Sequence, residues 1–361
     1  MKIEYNLMNL VVNMTEAIVK PRINKYDNIK GISIILIVLG HFLFIDHNIN
    51  GFNPIVYLKN ILFIIHIPLF FFVSGYFSKI RPNEPIKACK RILIPYILFC
   101  IILRIYFTVL LNKTNDNPVI IISEFGLWFL ISLFTMKISL PIIDKLKYPI
   151  LTSIVLALAI GFLDLSPGLL GISRTFAYLP VFLTGFYFNA YKEKYLSNRD
   201  KLNEFLNSRW TIICFSAILI IMILIMAYLC PIKFIRYTSE YNLTNFIFVK
   251  EIIGRTILII LQIGVVLLAN KIVTNKKSIL TQIGINSMAI YILHLFIKDH
   301  VIKLITFNVT DPAIQLICSL TFTAIVVLIL SRDFFTKYLN NFTDVFYNIF
   351  FKPVESKFTE K

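Results

Sequence analysis

The chain of 361 residues is 57% hydrophobic and 16% charged, against about 45–50% and about 25% for soluble domains. Its 33 Phe and 17 Tyr exceed what a soluble core hides, which excludes an ordinary soluble globule. The formal net charge of +16 comes from 36 Lys+Arg against 20 Asp+Glu. No basic stripe interleaved with aromatics stands outside the apolar segments, so no nucleic-acid partner is expected.

In chain order, apolar runs predict about ten membrane-spanning helices, near 31–46, 60–78, 92–111, 124–140, 149–165, 175–190, 210–229, 252–270, 279–297 and 313–330. The runs are continuous rather than alternating, so helices are expected and a closed barrel is not. The first run is short, and its helix is expected to begin before residue 31. With the N-terminus placed in the cytoplasm, the inner segments carry 26 Lys+Arg and the outer segments 9. That asymmetry predicts both termini in the cytoplasm. The fold class is thus all-α, a polytopic transmembrane bundle. Residues 1–30 form a cytoplasmic segment, 31–330 the membrane domain and 331–361 a cytoplasmic tail. The first strong apolar run begins near Ile32 without a small-residue cleavage site, so no cleavable signal peptide is expected. Cys89, Cys100, Cys214, Cys230 and Cys318 form no C-x-x-C pair, so neither a zinc site nor a disulfide framework is expected.

Ionisable residues inside spans are costly and mark function. Here they are His41, His66, Arg104, Asp164 and His294, with Lys30 and Lys137 at span ends. Lys30 and His41 lie 11 positions apart, which returns them to within about 20° on a helix. Asp27, Lys30, Ile34, Val38 and His41 therefore share one stripe, leading from a charged mouth to an imidazole about 16 Å deeper. The structural alternative is a snorkelling Lys30 and a buried, hydrogen-bonded His41. In the second run, His66 precedes Pro68, Ser74 and Gly75. Such breaks suit a helix lining a cavity, or close helix packing through small residues. A basic cluster follows at Lys87, Lys90 and Arg91. It can hold phosphates or simply orient the chain in the membrane. His47 and His300 are expected in solvated outer loops. His294 near the end of its span is expected to pack or hydrogen-bond rather than react.

These stretches resemble the acyltransferase family 3 membrane proteins, particularly the fucose 4-O-acetylase-like branch. The resemblance is carried by Asp27-Asn-Ile-Lys30-Gly31 with Gly40-His41, Phe63-Ile-Ile-His66-Ile-Pro68 through Ser74-Gly75-Tyr76, and Lys90-Arg91-Ile-Leu-Ile-Pro95-Tyr96. Leu127-Trp128-Phe129-Leu130, Arg174 with Leu179-Pro180 and Gly185, and Ser287 through Tyr291 to His294 extend it. Members often carry Arg where this chain has Lys87 and Lys90, and Lys lacks the planar fork for bidentate phosphate contacts.

The resemblance implies acetyl-CoA or another acyl-CoA as co-substrate, entering from the cytoplasm, with no permanently bound cofactor and no metal. It implies a hydroxyl acceptor on a sugar of a surface glycan or its lipid-linked precursor, in the inner membrane of a bacterium. His41 is then the general base. Asp27 and Lys30 organise the donor mouth, and Lys87, Lys90 and Arg91 hold the donor phosphates. His66, Trp128 and Arg174 lie on the acceptor side, where Trp128 can stack on a sugar. Arg104 pairs with a buried acid or stabilises oxyanion charge. The structural alternatives are an interfacial belt residue for Trp128 and a solvated loop charge for Arg174. An acyl-His41 intermediate and direct attack are both compatible with these residues. Competing readings are a glycolipid flippase, although no repeat halves are visible, a non-catalytic assembly factor, and transfer of another acyl group such as succinyl.

Overall fold

In the computed structural model, residues 22–43, 53–110, 126–163, 170–197, 208–308 and 311–351 are described, and among them the chain is helical with no strand. Helix α1 (Asn24–Phe42) starts seven residues before the expected span and places Asp27 in its first turn. Helix α2 (Pro54–Tyr76) returns antiparallel to it. The α2 start is set by its cap: the Asn53 side chain accepts from Ile55 N at 3.0 Å and Val56 N at 3.3 Å, and Pro54 occupies the first turn. Next come α3 (Glu84–Ala88), a π-turn over Cys89–Leu93, and α4 (Ile94–Ile105), which together make one long apolar rod. Helices α5 (Trp128–Ile143), α6 (Pro149–Ala159) and α7 (Ile172–Ser197) follow. Beyond them lie α8 (Arg209–Leu229), the single turn α9 (Ile232–Ile235) and α10 (Ile247–Ile272).

Helices α11 (Ile279–Ile285) and α12 (Ser287–Asn308) are bent by 76° across one residue. Helix α13 (Pro312–Leu330) is capped by Asp311, which accepts from Ala313 N at 2.7 Å. The chain then forms α14 (Asp333–Phe350), a helix where the sequence reads as a tail.

Each expected span overlaps a helix over its described residues. Length and composition qualify five of them to cross a membrane, or six when the bent pair α11–α12 counts as one. The other four, α1, α5, α6 and α7, are shorter or more polar, so a count of ten does not follow from the helices themselves. Lys25, Asp27 and Lys30 make α1 too polar at its start. Helix α12 also runs on through His300, which accordingly sits on a helix rather than in a loop, with Nε2 2.6 Å from the Tyr106 hydroxyl.

Two close crossings fix the centre of the bundle. At α1–α11, a Cβ on Gly31 would strike the Leu280 backbone, and one on Gly284 would strike the Asp27 carbonyl. At α2–α7, a Cβ on Gly75 would strike the Phe182 carbonyl, and one on Gly185 the Phe72 carbonyl. Small residues let these backbones touch, so Gly75 serves packing. Asn28 seals the first crossing: its Nδ2 donates to the Thr274 and Lys276 carbonyls, both at 2.9 Å, and its Oδ1 accepts from Thr281 Oγ1 at 2.6 Å. The core between these crossings is aromatic, with Phe71, Phe72, Tyr178 and Phe182 fully buried.

Candidate functional site

Helix α1 ends at Phe42, beside the middle of α2 rather than its end. Gly40 faces Leu62 and His66, and His66 lies about 18 Å along α2 from Pro54. His41 is therefore held deep in the bundle at the end of a helix, where the backbone turns away. The Leu43 carbonyl that follows accepts from Lys59 Nζ at 2.7 Å.

His41 Nδ1 lies 2.9 Å from His294 Nε2 on α12. His294 Nδ1 lies 2.8 Å from the Ile290 carbonyl, one turn earlier on the same helix. These contacts fix the protons. A carbonyl only accepts, so His294 Nδ1 carries hydrogen. A neutral His294 then offers its Nε2 lone pair, and His41 Nδ1–H donates to it. The lone pair of His41 is left on Nε2, away from its partner. His294 is fully buried, whereas His41 keeps accessible surface.

The free edge of His41 faces Gly126. A Cβ there would lie 3.1 Å from His41 Cε1 and 3.9 Å from Nε2. Gly126 has φ +92°, a conformation for glycine, and its carbonyl accepts from the Tyr291 hydroxyl. This turn delivers Trp128 at the head of α5. The Arg174 guanidinium stands over the Trp128 ring at 4.6 Å, and Tyr178 stacks on the same indole at 6.1 Å. Phe63 stands 5.0 Å from the His66 ring and carries the Arg236 guanidinium at 5.1 Å. One cluster thus holds two linked imidazoles, an indole and two arginines.

Residues 23–332 match the family described as an acyltransferase domain. The chain belongs to acyltransferase family 3. No curated protein matches it. Membership implies acyl transfer by a multi-pass membrane protein.

In this acyltransferase, the expected site residues fall into two groups. His41, His66, Trp128 and Arg174 converge at mid-bundle. Asp27 and Lys30 stay at the start of α1. There, Asp27 pairs with Lys30 Nζ at 2.8 Å and accepts from Arg22 Nε at 2.5 Å. The stripe from Lys30 to His41 passes Ile34 and Val38, both fully buried, so it is packed rather than an open track. Lys87 is exposed beside Glu84 at 3.5 Å, and Arg91 is exposed. Lys90 is engaged by α14: its Nζ meets Asp344 Oδ1 at 2.9 Å and lies 5.0 Å from the Tyr347 ring centre. Arg104 is half-buried on α4 and engaged with a partner. Asp164 and His47 lie outside the described residues.

Sequence reasoning undervalued His294, which bonds directly to His41. Gly126 and Arg236 carry no signal in the sequence, and Tyr291 appears only within the Ser287–His294 stretch, with no role given to it. The one available signal was Ser287 through His294, whose Tyr291 and His294 both reach the site.

Proposed function

We propose that this protein is a membrane O-acyltransferase that moves an acyl group, in the first instance acetyl, from acyl-CoA to a sugar hydroxyl of a surface glycan or its precursor. The observation that carries the reading is the Ile290–His294–His41 chain of hydrogen bonds, which leaves a lone pair on His41 Nε2 beside Gly126. In this mechanism the acceptor hydroxyl gives its proton to Nε2 while its oxygen attacks the thioester carbonyl. The C–O bond forms, the C–S bond breaks, and the departing CoA sulfur takes the proton back from His41. As His41 becomes imidazolium, its Nδ1–H stays bonded to His294 Nε2, and the new charge is shared along the chain.

We place ten spans in the inner membrane of a bacterium, with both termini in the cytoplasm, following the 26-to-9 split of Lys+Arg between the two faces. The start of α1 then faces the cytoplasm, with Asp27, Lys30, Lys87, Lys90 and Arg91 around the donor mouth. Exposed Lys87 and Arg91 are the residues available to CoA phosphates there. Trp128 offers a flat apolar face to a sugar ring, and Arg174 braces it. The test is direct. Purified protein with labelled acetyl-CoA should label a glycan acceptor, and His41→Ala should abolish it. Surface glycans of the deletion host, compared by NMR, should lack O-acyl signals that the wild-type gene restores and His41→Ala does not. Unchanged glycans in the deletion would reject the assignment.

A further inference from the structure

Arg174 and Arg236 come from distant parts of the chain, and the structure joins the segments that carry them. The Ser173 hydroxyl donates to the Tyr237 carbonyl at 2.9 Å, joining the residue before one arginine to the residue after the other. Tyr237 adopts φ 54°, in the left-handed region that side chains avoid, so this join is maintained against backbone strain. Its ring packs edge-on to Tyr178 at 5.1 Å, and its hydroxyl donates to Gln262 Oε1 at 3.1 Å. The Arg236 charge reaches Arg174 across this joint.

Among the described residues, no carboxylate faces either guanidinium group. Both lie over aromatic faces, Arg174 over Trp128 and Arg236 over Phe63. Arg174 is only 7% exposed, and its Nε has no hydrogen-bond partner. A buried cation is costly unless something pairs with it; Arg174 is buried and Arg236 half-buried. A fork of donors beside a flat indole fits one kind of ligand, a sugar bearing an oxyanion.

We infer that the acceptor is anionic, its carboxylate or phosphate seated between Arg174 and Arg236 while its sugar ring lies on Trp128 near His41 Nε2. The inference rests on the acyltransferase reading and narrows its acceptor class. A uronic acid supplies a carboxylate and a glycosyl phosphate a phosphate, and both present the same chemistry to the fork.

The test has a binding arm and a turnover arm. The chain holds two tryptophans, and Trp210 is exposed at the start of α8, so Trp210→Phe leaves Trp128 as the sole reporter. The purified Trp210→Phe protein is titrated with glucuronate, glucose 1-phosphate, inorganic phosphate and neutral glucose. Saturable change in Trp128 emission is expected with glucuronate, glucose 1-phosphate or both, whichever oxyanion the fork takes, and not with glucose. Arg236→Gln should weaken that binding at least tenfold, and Arg236→Lys should keep more of it while confirming a folded protein. A response to inorganic phosphate alone, or equal responses to glucose and its charged analogues, overturns the inference.

In the turnover arm, labelled acetyl transfer is compared between anionic and neutral glycosides of the same sugar. Anionic acceptors should be favoured at least tenfold in kcat/KM, and Arg236→Gln should collapse that ratio toward one. Efficient transfer to neutral acceptors with no preference sinks the anionic site and leaves the acyltransferase reading standing. No transfer to any hydroxyl, with His41→Ala indistinguishable from wild type, sinks both.

Discussion

His41 and His294 are hydrogen-bonded at 2.9 Å, and the far nitrogen of His294 is tied to its own helix through Ile290. This arrangement makes His294 a positioning residue: it holds the His41 ring and selects its tautomer. His41→Ala should lower kcat by about 10³-fold and His294→Ala by about 10²-fold. The double variant should be hardly worse than His41→Ala, because the two rings act as one unit. His294→Gln should recover part of the loss, since its amide oxygen can accept from His41 Nδ1–H. Initial rates of labelled acetyl transfer, with KM for acetyl-CoA measured alongside, check this. Additive losses in the double variant would show the rings to be independent.

Gly126 leaves open the side of His41 where the acceptor must approach. An added methyl there sits 3.1 Å from His41 Cε1 and 3.2 Å from Leu295 Cδ2, at φ +92°. Gly126→Ala should therefore cost about 1–3 kcal/mol of backbone strain and lower kcat about tenfold or more. The protein should still elute as a folded species in detergent. Undiminished turnover in Gly126→Ala would move the acceptor to another side of the imidazole.

Much of this was legible from residue types and spacing. The phase of Lys30 and His41 places both on one face of α1. What spacing cannot show is pairing between helices. His294 meets His41 only because α11 and α12 bend at Asn286, and the Arg236 segment joins the Arg174 segment at the left-handed Tyr237. Helix α14 escaped for another reason. Phe334, Tyr338, Phe342, Val345 and Ile349 form an exposed stripe, Leu339, Thr343 and Tyr347 face inward, and polar residues fill the third side. Averaged over a window, such a helix looks unremarkable, and only its angular pattern reveals it. The count of ten is not settled by the helices themselves: Lys25, Asp27 and Lys30 crowd the start of α1, and α5, α6 and α7 are shorter or more polar than a lone span requires.

The α1–α11 crossing joins the charged start of α1 to the helix pair that carries His294. Each of its two glycines faces the backbone of the other helix, Gly31 that of Leu280 and Gly284 that of Asp27, so any side chain forces the helices apart. Gly284→Ala should destabilise the protein by at least about 1–3 kcal/mol, the usual range for overpacking a filled core. Gly31→Ala should do the same. Because both act on one contact, the double variant should cost less than the sum. Thermal unfolding in a fixed detergent checks the stability, and acetyl transfer at low temperature tests whether separation also disturbs His294. Additive destabilisation would mean that the two glycines relieve separate clashes.

Helix α14 is tied to the bend between α11 and α12 by Asp333. Its Oδ1 accepts from Asn286 Nδ2 at 3.0 Å and from Gln282 Nε2 at 2.6 Å. Those hydrogen bonds, Asn286 first, hold the exposed Asp333 carboxyl below its usual range. A carboxyl with a lowered folded pKa contributes stability above its unfolded value and loses it as pH falls through the folded one. The tie is therefore intact at neutral pH and weakens in acid, below the ordinary carboxylate range. Asn286 also accepts from Thr336 on α14, so the same bend is held from both sides of the amide. Lowering the pH should raise hydrogen exchange in the first turns of α14 before the rest of the bundle responds. Asp333→Asn should raise that exchange at neutral pH and flatten its pH dependence, while Asp344→Asn, on the polar side of the same helix, should leave the pH dependence of the first turns in place. Exchange that rises in acid equally in Asp333→Asn and the parent would assign the loosening to another group.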